Sequence, residues 1–219
     1  MEIKVVRQIM EWNEDCSGEI KSLLKDNRIF MVNVMGSPGA GKTSLTIELA
    51  AHLAAAGYRV GVIEGDVAGQ IDARRIAALG LPVVQLNTEG ACHIEAMSVK
   101  HILPYFDLNE TDVLIVENIG NLVCPAEFNI GEDLRLALLS VPEGDDKVEK
   151  YPLMFSVADA LILHKFDMKP HFDFDDEKVE AQAKAINRDI GVFRVSVPQK
   201  AGLAELAEWL LNKIAAKLQ

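Results

Sequence analysis

Short runs of apolar residues alternate with helical patterns along most of the chain. The runs predict seven β-strands, over residues 30–35, 58–63, 82–86, 112–117, 134–141, 160–163 and 192–195. Helical patterns lie between or beside them, over residues 5–24, 43–56, 72–79, 93–103, 176–189 and 202–217. Several runs are apolar almost without a break, which is typical of strands covered on both faces. The pattern therefore predicts an α/β fold: a doubly wound, mainly parallel seven-stranded sheet with helices on both faces.

The first strand leads into a glycine-rich turn that fits the phosphate-binding pattern G-x-x-x-x-G-K-[ST] of a P-loop NTPase. In such a turn, backbone N–H groups point at phosphate oxygens, Lys42 reaches the β- and γ-phosphates, and Thr43 offers its hydroxyl to Mg²⁺. An ordinary glycine-rich turn is the alternative, but the apolar strand before it and the apolar helix after it favour the P-loop. The candidate nucleotide-binding residues here are Gly36, Ser37, Pro38, Gly39, Ala40, Gly41, Lys42, Thr43 and Ser44.

Two carboxylates stand at the ends of further strands, where open α/β sheets bind ligands. Asp66 follows the second strand and Glu117 ends the fourth. Together with Thr43 they are candidate Mg²⁺ ligands, and with Lys42 they are the candidate catalytic residues. Gly120 follows Glu117 closely enough for its N–H to contact a γ-phosphate. Acids after strands also cap loops, which is the alternative interpretation.

The sixth predicted strand ends in the sequence His164-Lys165-Phe166-Asp167. Many GTPases recognise guanine with Asn-Lys-x-Asp at this place, so Lys165 and Asp167 are candidate base-binding residues. His164 replaces the usual asparagine, and residues 196–198 read Ser-Val-Pro where Ser-Ala-Lys is common. A solvated strand end is the alternative, and the preference for GTP over ATP stays open.

Cysteine and histidine indicate a possible metal site. Cys92 and His93 are adjacent, and Cys124 lies shortly after Glu117. Thiolate and imidazole suit zinc or nickel, although three ligands leave a tetrahedral site one short. Free cysteines are also common as small buried residues, and Cys16, which has no neighbouring ligand, is expected to be structural.

Charge, hydropathy and cysteine count exclude several classes of protein. The chain of 219 residues has a formal net charge of −11, which argues against general nucleic-acid binding. Its start is charged throughout and no apolar run is long enough to span a membrane, so we expect no membrane association. An odd count of three cysteines does not suggest a disulfide scaffold and favours a reducing cytoplasm. We expect one P-loop GTPase domain over residues 27–219, with residues 1–26 as a helical segment that packs on it.

Five stretches together resemble one family. They are the P-loop, Glu64-Gly65-Asp66, Cys92-His93, Glu-Asn-Ile-Gly-Asn-Leu-Val-Cys-Pro at 117–125 and Glu-Gly-Asp-Asp-Lys at 143–147. The set is similar to the HypB family, the SIMIBI-class P-loop GTPases of nickel incorporation in hydrogenase maturation. The resemblance runs from about residue 27 to the end of the chain.

The resemblance implies a GTP- and Mg²⁺-dependent hydrolase in the cytoplasm that forms a homodimer on binding nucleotide. It also implies a metallochaperone that handles Ni²⁺ or Zn²⁺ for the large subunit of a [NiFe]-hydrogenase, together with a HypA-type zinc protein. By matching position, the ligands of that metal would be Cys92, His93 and Cys124. The histidine-rich tract and N-terminal cysteine motif of some members are missing from this sequence, so a nickel-storage role is not expected.

Other classes stay open from the sequence alone. One is a GTPase chaperone for a different metallocentre, of the urease or cobalamin-enzyme type. Another is an ATP-using relative; a partitioning ATPase would normally carry an extra lysine where Ser37 and Pro38 stand. A third is a metal-binding scaffold without catalysis. The physiological metal, the hydrolysis rate and the client are not determined by these residues.

Overall fold

A computed structural model describes residues 4–66, 71–88 and 90–218, and within them the side chains of residues 10–65, 73–88 and 90–218. The described residues form one seven-stranded sheet in the order β3-β2-β4-β1-β5-β6-β7. Every neighbouring pair in this sheet is parallel, so the predicted fold class is confirmed and its mainly parallel sheet is parallel throughout. The strands are β1 (Phe30–Gly36), β2 (Val60–Asp66), β3 (Val83–Asn87), β4 (Val113–Glu117), β5 (Leu134–Ser140), β6 (Ala160–His164) and β7 (Gly191–Val195).

Helices connect the strands. Within the described ranges they are α1 (Lys4–Asp26), α2 (Lys42–Ala55), α3 (Ile71–Ala77), α4 (Ala96–Ile102), α5 (Cys124–Glu127), α6 (Lys147–Lys150), α7 (Pro152–Val157), α8 (Asp176–Ile186) and α9 (Leu203–Leu218). Short 3₁₀ turns cover Leu103–Tyr105, Leu108–Glu110, Val141–Glu143 and Phe166–His171.

The helical pattern over residues 5–24 is confirmed as α1, within which the Ser17 hydroxyl donates to the Glu14 carbonyl at 2.9 Å. Another predicted helix starts later than expected. The helix expected from His93 begins only at Ala96, whose N–H donates to the Asn13 side chain at 3.0 Å. His93 therefore lies in the loop before α4.

The core follows the alternation of side chains along β1. Phe30, Val32 and Val34 pack on one face of the sheet with residues of α2 and α9. Met31 packs on the other face with α1 and α4, and Met35 packs there with α7 and α8. The proposed boundary between residues 1–26 and 27–219 stays a prediction. No helix of the described residues is long and apolar enough to cross a bilayer.

Candidate functional site

The P-loop lies at the carboxyl end of β1, in the middle of the sheet, beside a cavity of about 490 Å³. A cavity of this size is typical of small-molecule sites. The cavity wall consists of Pro38, Gly39, Gly41, Lys42, Thr43 and Ser44 from the P-loop and α2, Glu64 and Gly65 from β2, Arg75 from α3, residues 117–120, and Lys165 after β6. Of the predicted nucleotide-binding residues, the wall does not include Gly36, Ser37, Ala40 and Asp167.

Lys42 is buried under the loop that it follows. Its ammonium donates to the carbonyls of Gly36 and Ser37 at 3.2 and 3.1 Å, which fixes the cation within the curve of the turn. Thr43, the next residue, directs its hydroxyl at Glu117 and donates to Oε1 at 2.7 Å. The lysine predicted to bind phosphate is therefore brought together with the hydroxyl and carboxylate predicted to bind Mg²⁺, at one end of the sheet.

Two glycines allow close approach around the loop. Gly41 has φ of +102°, and a Cβ there would lie 2.4 Å from the imidazole of His164. Gly120 packs on the loop itself, where a Cβ would lie 2.7 Å from the backbone nitrogen of Pro38. The segment after β4 thus touches the P-loop directly.

His164 supports the loop from beneath. Its Nδ1 lies 2.8 Å from the Ala40 carbonyl, and because a carbonyl only accepts, Nδ1 carries the proton. Burial lowers the pKa of His164, which favours the neutral imidazole. The histidine that replaces the usual asparagine therefore makes a P-loop contact of its own.

The carboxylates of the site include one that the sequence analysis missed. Glu64 of β2 is in register with Glu117 of β4, and both are buried in the cavity wall. The available signal was an acidic residue directly after the apolar run of residues 60–63 in β2. The side chain of Asp66, the predicted partner of Glu117, lies outside the described residues.

The residues expected to bind the base lie after β6. Lys165 has a left-handed backbone (φ of +54°), and its ammonium donates to the Gly39 carbonyl at 2.7 Å. Asp167 accepts a hydrogen bond of 2.6 Å from the hydroxyl of buried Ser196. Ser196, the one residue that matches Ser-Ala-Lys, thus orients the carboxylate of Asp167.

Cys92, His93 and Cys124 form a compact cluster. One ligand atom of each lies within 4.8 Å of those of the others, and the two sulfurs are 3.0 Å apart as free thiols. His93 Nδ1 is 3.5 Å from the Cys92 sulfur, and the imidazole stacks on Phe128 with ring centroids 4.1 Å apart. Two thiols and an imidazole at this spacing suit a zinc or nickel ion.

The protonation of this cluster follows from its contacts. Burial lowers the pKa of His93, so the imidazole is available as a neutral ligand. The hydrogen bond with Cys92, followed by burial, raises the pKa of the Cys124 thiol. A metal ion that binds here displaces the thiol protons.

Two asparagines join the metal-ligand cluster to the nucleotide cavity. Asn121 donates its backbone N–H to the Gly36 carbonyl at 3.0 Å and its side-chain amide to the Cys92 carbonyl at 3.3 Å. Buried Asn118, in the cavity wall, accepts at Oδ1 from the N–H of Ile94 at 3.1 Å. The loop that carries Cys92 and His93 is therefore bonded directly to the segment that ends at Cys124.

Comparison with known proteins is consistent with this arrangement. Residues 30–194 match the model of the CobW/HypB/UreG nucleotide-binding domain. The chain is 41% identical to the hydrogenase maturation factor HypB of Azotobacter vinelandii over 99% of its own length and 71% of that protein. The chain belongs to the HypB family of hydrogenase maturation factors.

Further HypB proteins extend the match. The hydrogenase/urease maturation factor HypB of Helicobacter hepaticus is 35% identical over 99% of this chain and 90% of that protein. The crystal structure of HypB from Helicobacter pylori in complex with nickel superposes with a TM-score of 0.87 at 36% identity, covering 94% of this chain and 97% of that one. HypB family membership confirms the resemblance and establishes a P-loop nucleotide-binding fold, whereas the roles of individual site residues stay predictions.

Proposed function

We propose that this chain is a GTP-hydrolysing metallochaperone in which the bound nucleotide sets the affinity of a nickel or zinc site. The nucleotide occupies the cavity beside the P-loop, and the metal, as cargo, binds Cys92, His93 and Cys124. The contact that carries the proposal is made by Asn121, which bonds both to Gly36 of the P-loop and to Cys92. A movement of the segment after β4 is thereby transmitted to the metal ligands.

The hydrogen bond between Thr43 and Glu117 supports a magnesium site. A hydroxyl and a carboxylate 2.7 Å apart, beside the cavity, offer hard oxygen ligands of the kind that Mg²⁺ prefers. We assign Thr43 and Glu117 to this ion, with Asp66 as a further ligand. When bound, the ion neutralises charge on the phosphates. Because the sequence identified no protein-supplied general base, we expect slow turnover without a partner.

Nickel is the favoured cargo because the related Helicobacter pylori protein was crystallised with it. Three ligands leave a tetrahedral position open, which a second copy of the chain could fill. We therefore propose that GTP promotes a two-fold homodimer that brings two ligand sets together. Hydrolysis then loosens the segment around Asn121, and the metal passes to a HypA-type zinc protein or to the large subunit of a [NiFe]-hydrogenase in the cytoplasm.

Two variations of this function have support of their own. The Helicobacter hepaticus relative is named a hydrogenase/urease maturation factor, so a urease is an alternative client. ATP is the alternative nucleotide, because His164 departs from the guanine-binding pattern. Asp167 favours GTP, because a carboxylate accepts hydrogen bonds from guanine, and the Ser196 hydroxyl bonds to this carboxylate.

The proposal is tested with the full chain and the variant Lys42→Ala. Phosphate release from GTP and from ATP is measured, together with Ni²⁺ affinity with and without nucleotide. We expect release from GTP in the wild type, none in the variant, and unchanged Ni²⁺ affinity of the variant when no nucleotide is present. Asp167→Asn should lower GTP affinity while leaving the Ni²⁺ site intact. A wild-type protein that releases phosphate from neither nucleotide would reduce the proposal to a metal-binding scaffold.

A further inference from the structure

Arg75 is a cation in the nucleotide cavity to which neither the P-loop nor the base-recognition pattern assigns a role. It lies on α3, the helix that follows β2, and forms part of the wall together with Lys42, Glu64 and Gly120. Its neighbour Arg74 lies on the same helix but is not part of the wall. Of these two consecutive arginines, Arg75 is the one that lies at the cavity.

The strand order shows which end of the nucleotide Arg75 faces. Lys165, on the side expected to bind the base, follows β6, which lies beyond β5 on one side of β1. Arg75 follows β2, which lies beyond β4 on the opposite side of β1. A nucleotide whose base lies near Lys165 and whose phosphates lie in the P-loop extends its phosphate chain towards β4 and β2. Arg75 stands at the phosphate end of this path.

The chemistry of the residue fits that end. A guanidinium binds phosphate oxygens through two parallel hydrogen bonds, and its charge stabilises the charge that develops on the transferred phosphoryl group. In hydrolysis the oxygen of water bonds to the γ-phosphorus while the bond to the bridging oxygen breaks. The bridging oxygen keeps the electron pair on GDP, and the proton of water passes to solvent. An arginine at the γ-phosphate favours both the triphosphate over the diphosphate and the transition state over the ground state.

We propose that Arg75 contacts the γ-phosphate of bound GTP and stabilises the charge on the transferred phosphoryl group, as an arginine finger supplied from within the same chain. The inference rests on the proposed GTPase function and adds to it a residue that distinguishes GTP from GDP. Arg75 lies on α3, so loss of the γ-phosphate releases a contact on that helix. The nucleotide state is then sensed on two sides of the cavity, at Gly120 and at Arg75.

The test compares Arg75→Ala and Arg75→Lys with Arg74→Ala in the full chain. Affinities for GDP and for a non-hydrolysable GTP analogue are measured with Mg²⁺, and GTP hydrolysis is followed in single turnover. For Arg75→Ala we expect about ten-fold weaker binding of the analogue, nearly unchanged GDP binding and about 10²-fold slower hydrolysis, the size of losing one donor to developing charge. Arg75→Lys should be intermediate, because it keeps the charge but loses the two-pronged donor. Arg74→Ala should resemble the wild type.

Three results would overturn the inference. Equal losses of GDP and analogue affinity would place Arg75 away from the γ-phosphate. Wild-type affinities and hydrolysis in Arg75→Ala would remove it from the site altogether, and equal effects of both alanine variants would indicate general electrostatics. Failure of the GTPase proposal itself is recognised separately, because wild-type protein would then not hydrolyse GTP in the same assay.

Discussion

Replacing Asn121 with alanine removes one side-chain hydrogen bond that joins the Cys124 segment to the Cys92 loop and another that lies within the Cys124 segment. The side-chain amide donates to the Cys92 carbonyl at 3.3 Å, and Oδ1 accepts from the N–H of Val123 at 2.8 Å. The backbone N–H of residue 121 still donates to Gly36, because that bond does not involve the side chain. Residue 121 of the variant therefore keeps its bond to the P-loop and loses its own bond to the Cys92 loop, while the bond between Asn118 and Ile94 remains.

The size of the effect follows from those two bonds. A partly exposed neutral hydrogen bond contributes about 0.5–1.5 kcal/mol, so both together contribute about 2 kcal/mol. If that stabilisation is needed to hold Cys92 and Cys124 in place for the metal, its loss weakens Ni²⁺ binding about 30-fold. We also expect the Ni²⁺ affinity of the variant to depend much less on the nucleotide.

The assay is a competition between the protein and a coloured chelator for Ni²⁺, in the presence of GDP or of a non-hydrolysable GTP analogue. Asn187→Ala is the matched control. Asn187 donates its amide to the Ala158 carbonyl at 2.8 Å and accepts at Oδ1 from the N–H of Asp189 at 3.2 Å, the same two kinds of bond. Urea unfolding should show comparable losses of stability in the two variants, whereas only Asn121→Ala should lose Ni²⁺ affinity.

If Asn121→Ala binds Ni²⁺ as tightly as the wild type and keeps the same nucleotide dependence, the Asn121 side chain does not couple the two sites. If Asn187→Ala weakens Ni²⁺ binding equally, the role of Asn121 is also contradicted, since the effect would then come from general destabilisation.

Two further variants test the ends of the same connection. Cys124→Ala should weaken Ni²⁺ binding by at least about 100-fold while sparing nucleotide affinity. Cys16→Ala, at a buried cysteine outside the ligand cluster, should leave Ni²⁺ binding unchanged, and equal effects of the two variants in a metal titration would contradict the assignment. Gly41→Ala should lower nucleotide affinity at least about ten-fold, because positive φ costs an alanine about 1–2 kcal/mol and its Cβ meets the His164 ring. Gly39→Ala, where φ is also positive but an added Cβ would meet no other atom within 4 Å, should lose less nucleotide affinity in a fluorescence titration. An equal or larger loss would contradict the contact with His164 as the cause.

The elements that the sequence predicted well are those with strong local signals. The apolar runs of β1 and β4 are covered on both faces, so their patterns needed no knowledge of their neighbours. The P-loop was predictable because phosphate binding requires glycines, a lysine and a hydroxyl at fixed spacing. Cys92 and Cys124 could be suggested by ligand chemistry and by resemblance, but their 3.0 Å separation depends on how the loops after β3 and β4 fold.

The residues that the sequence analysis missed act through tertiary contacts. Asn118 and Asn121 lie in a loop, where asparagine is common, and only the structure shows that they bond to the loop carrying Cys92. Arg75 lies on a helix surface, where arginine is usually solvated, and the strand order alone brings it to the cavity. The helix expected from His93 begins only at Ala96, whose N–H donates to the Asn13 side chain of α1, another tertiary contact that the local sequence does not show.

Coupling between nucleotide state and metal affinity can be measured on the wild-type chain alone. Ni²⁺ affinity is determined by competition with a chelator, with Mg²⁺ and either GDP or a non-hydrolysable GTP analogue bound. We expect Ni²⁺ binding to be about ten-fold tighter in the triphosphate form, within the usual range of coupling between two sites. Identical Ni²⁺ affinities in the two forms would contradict it.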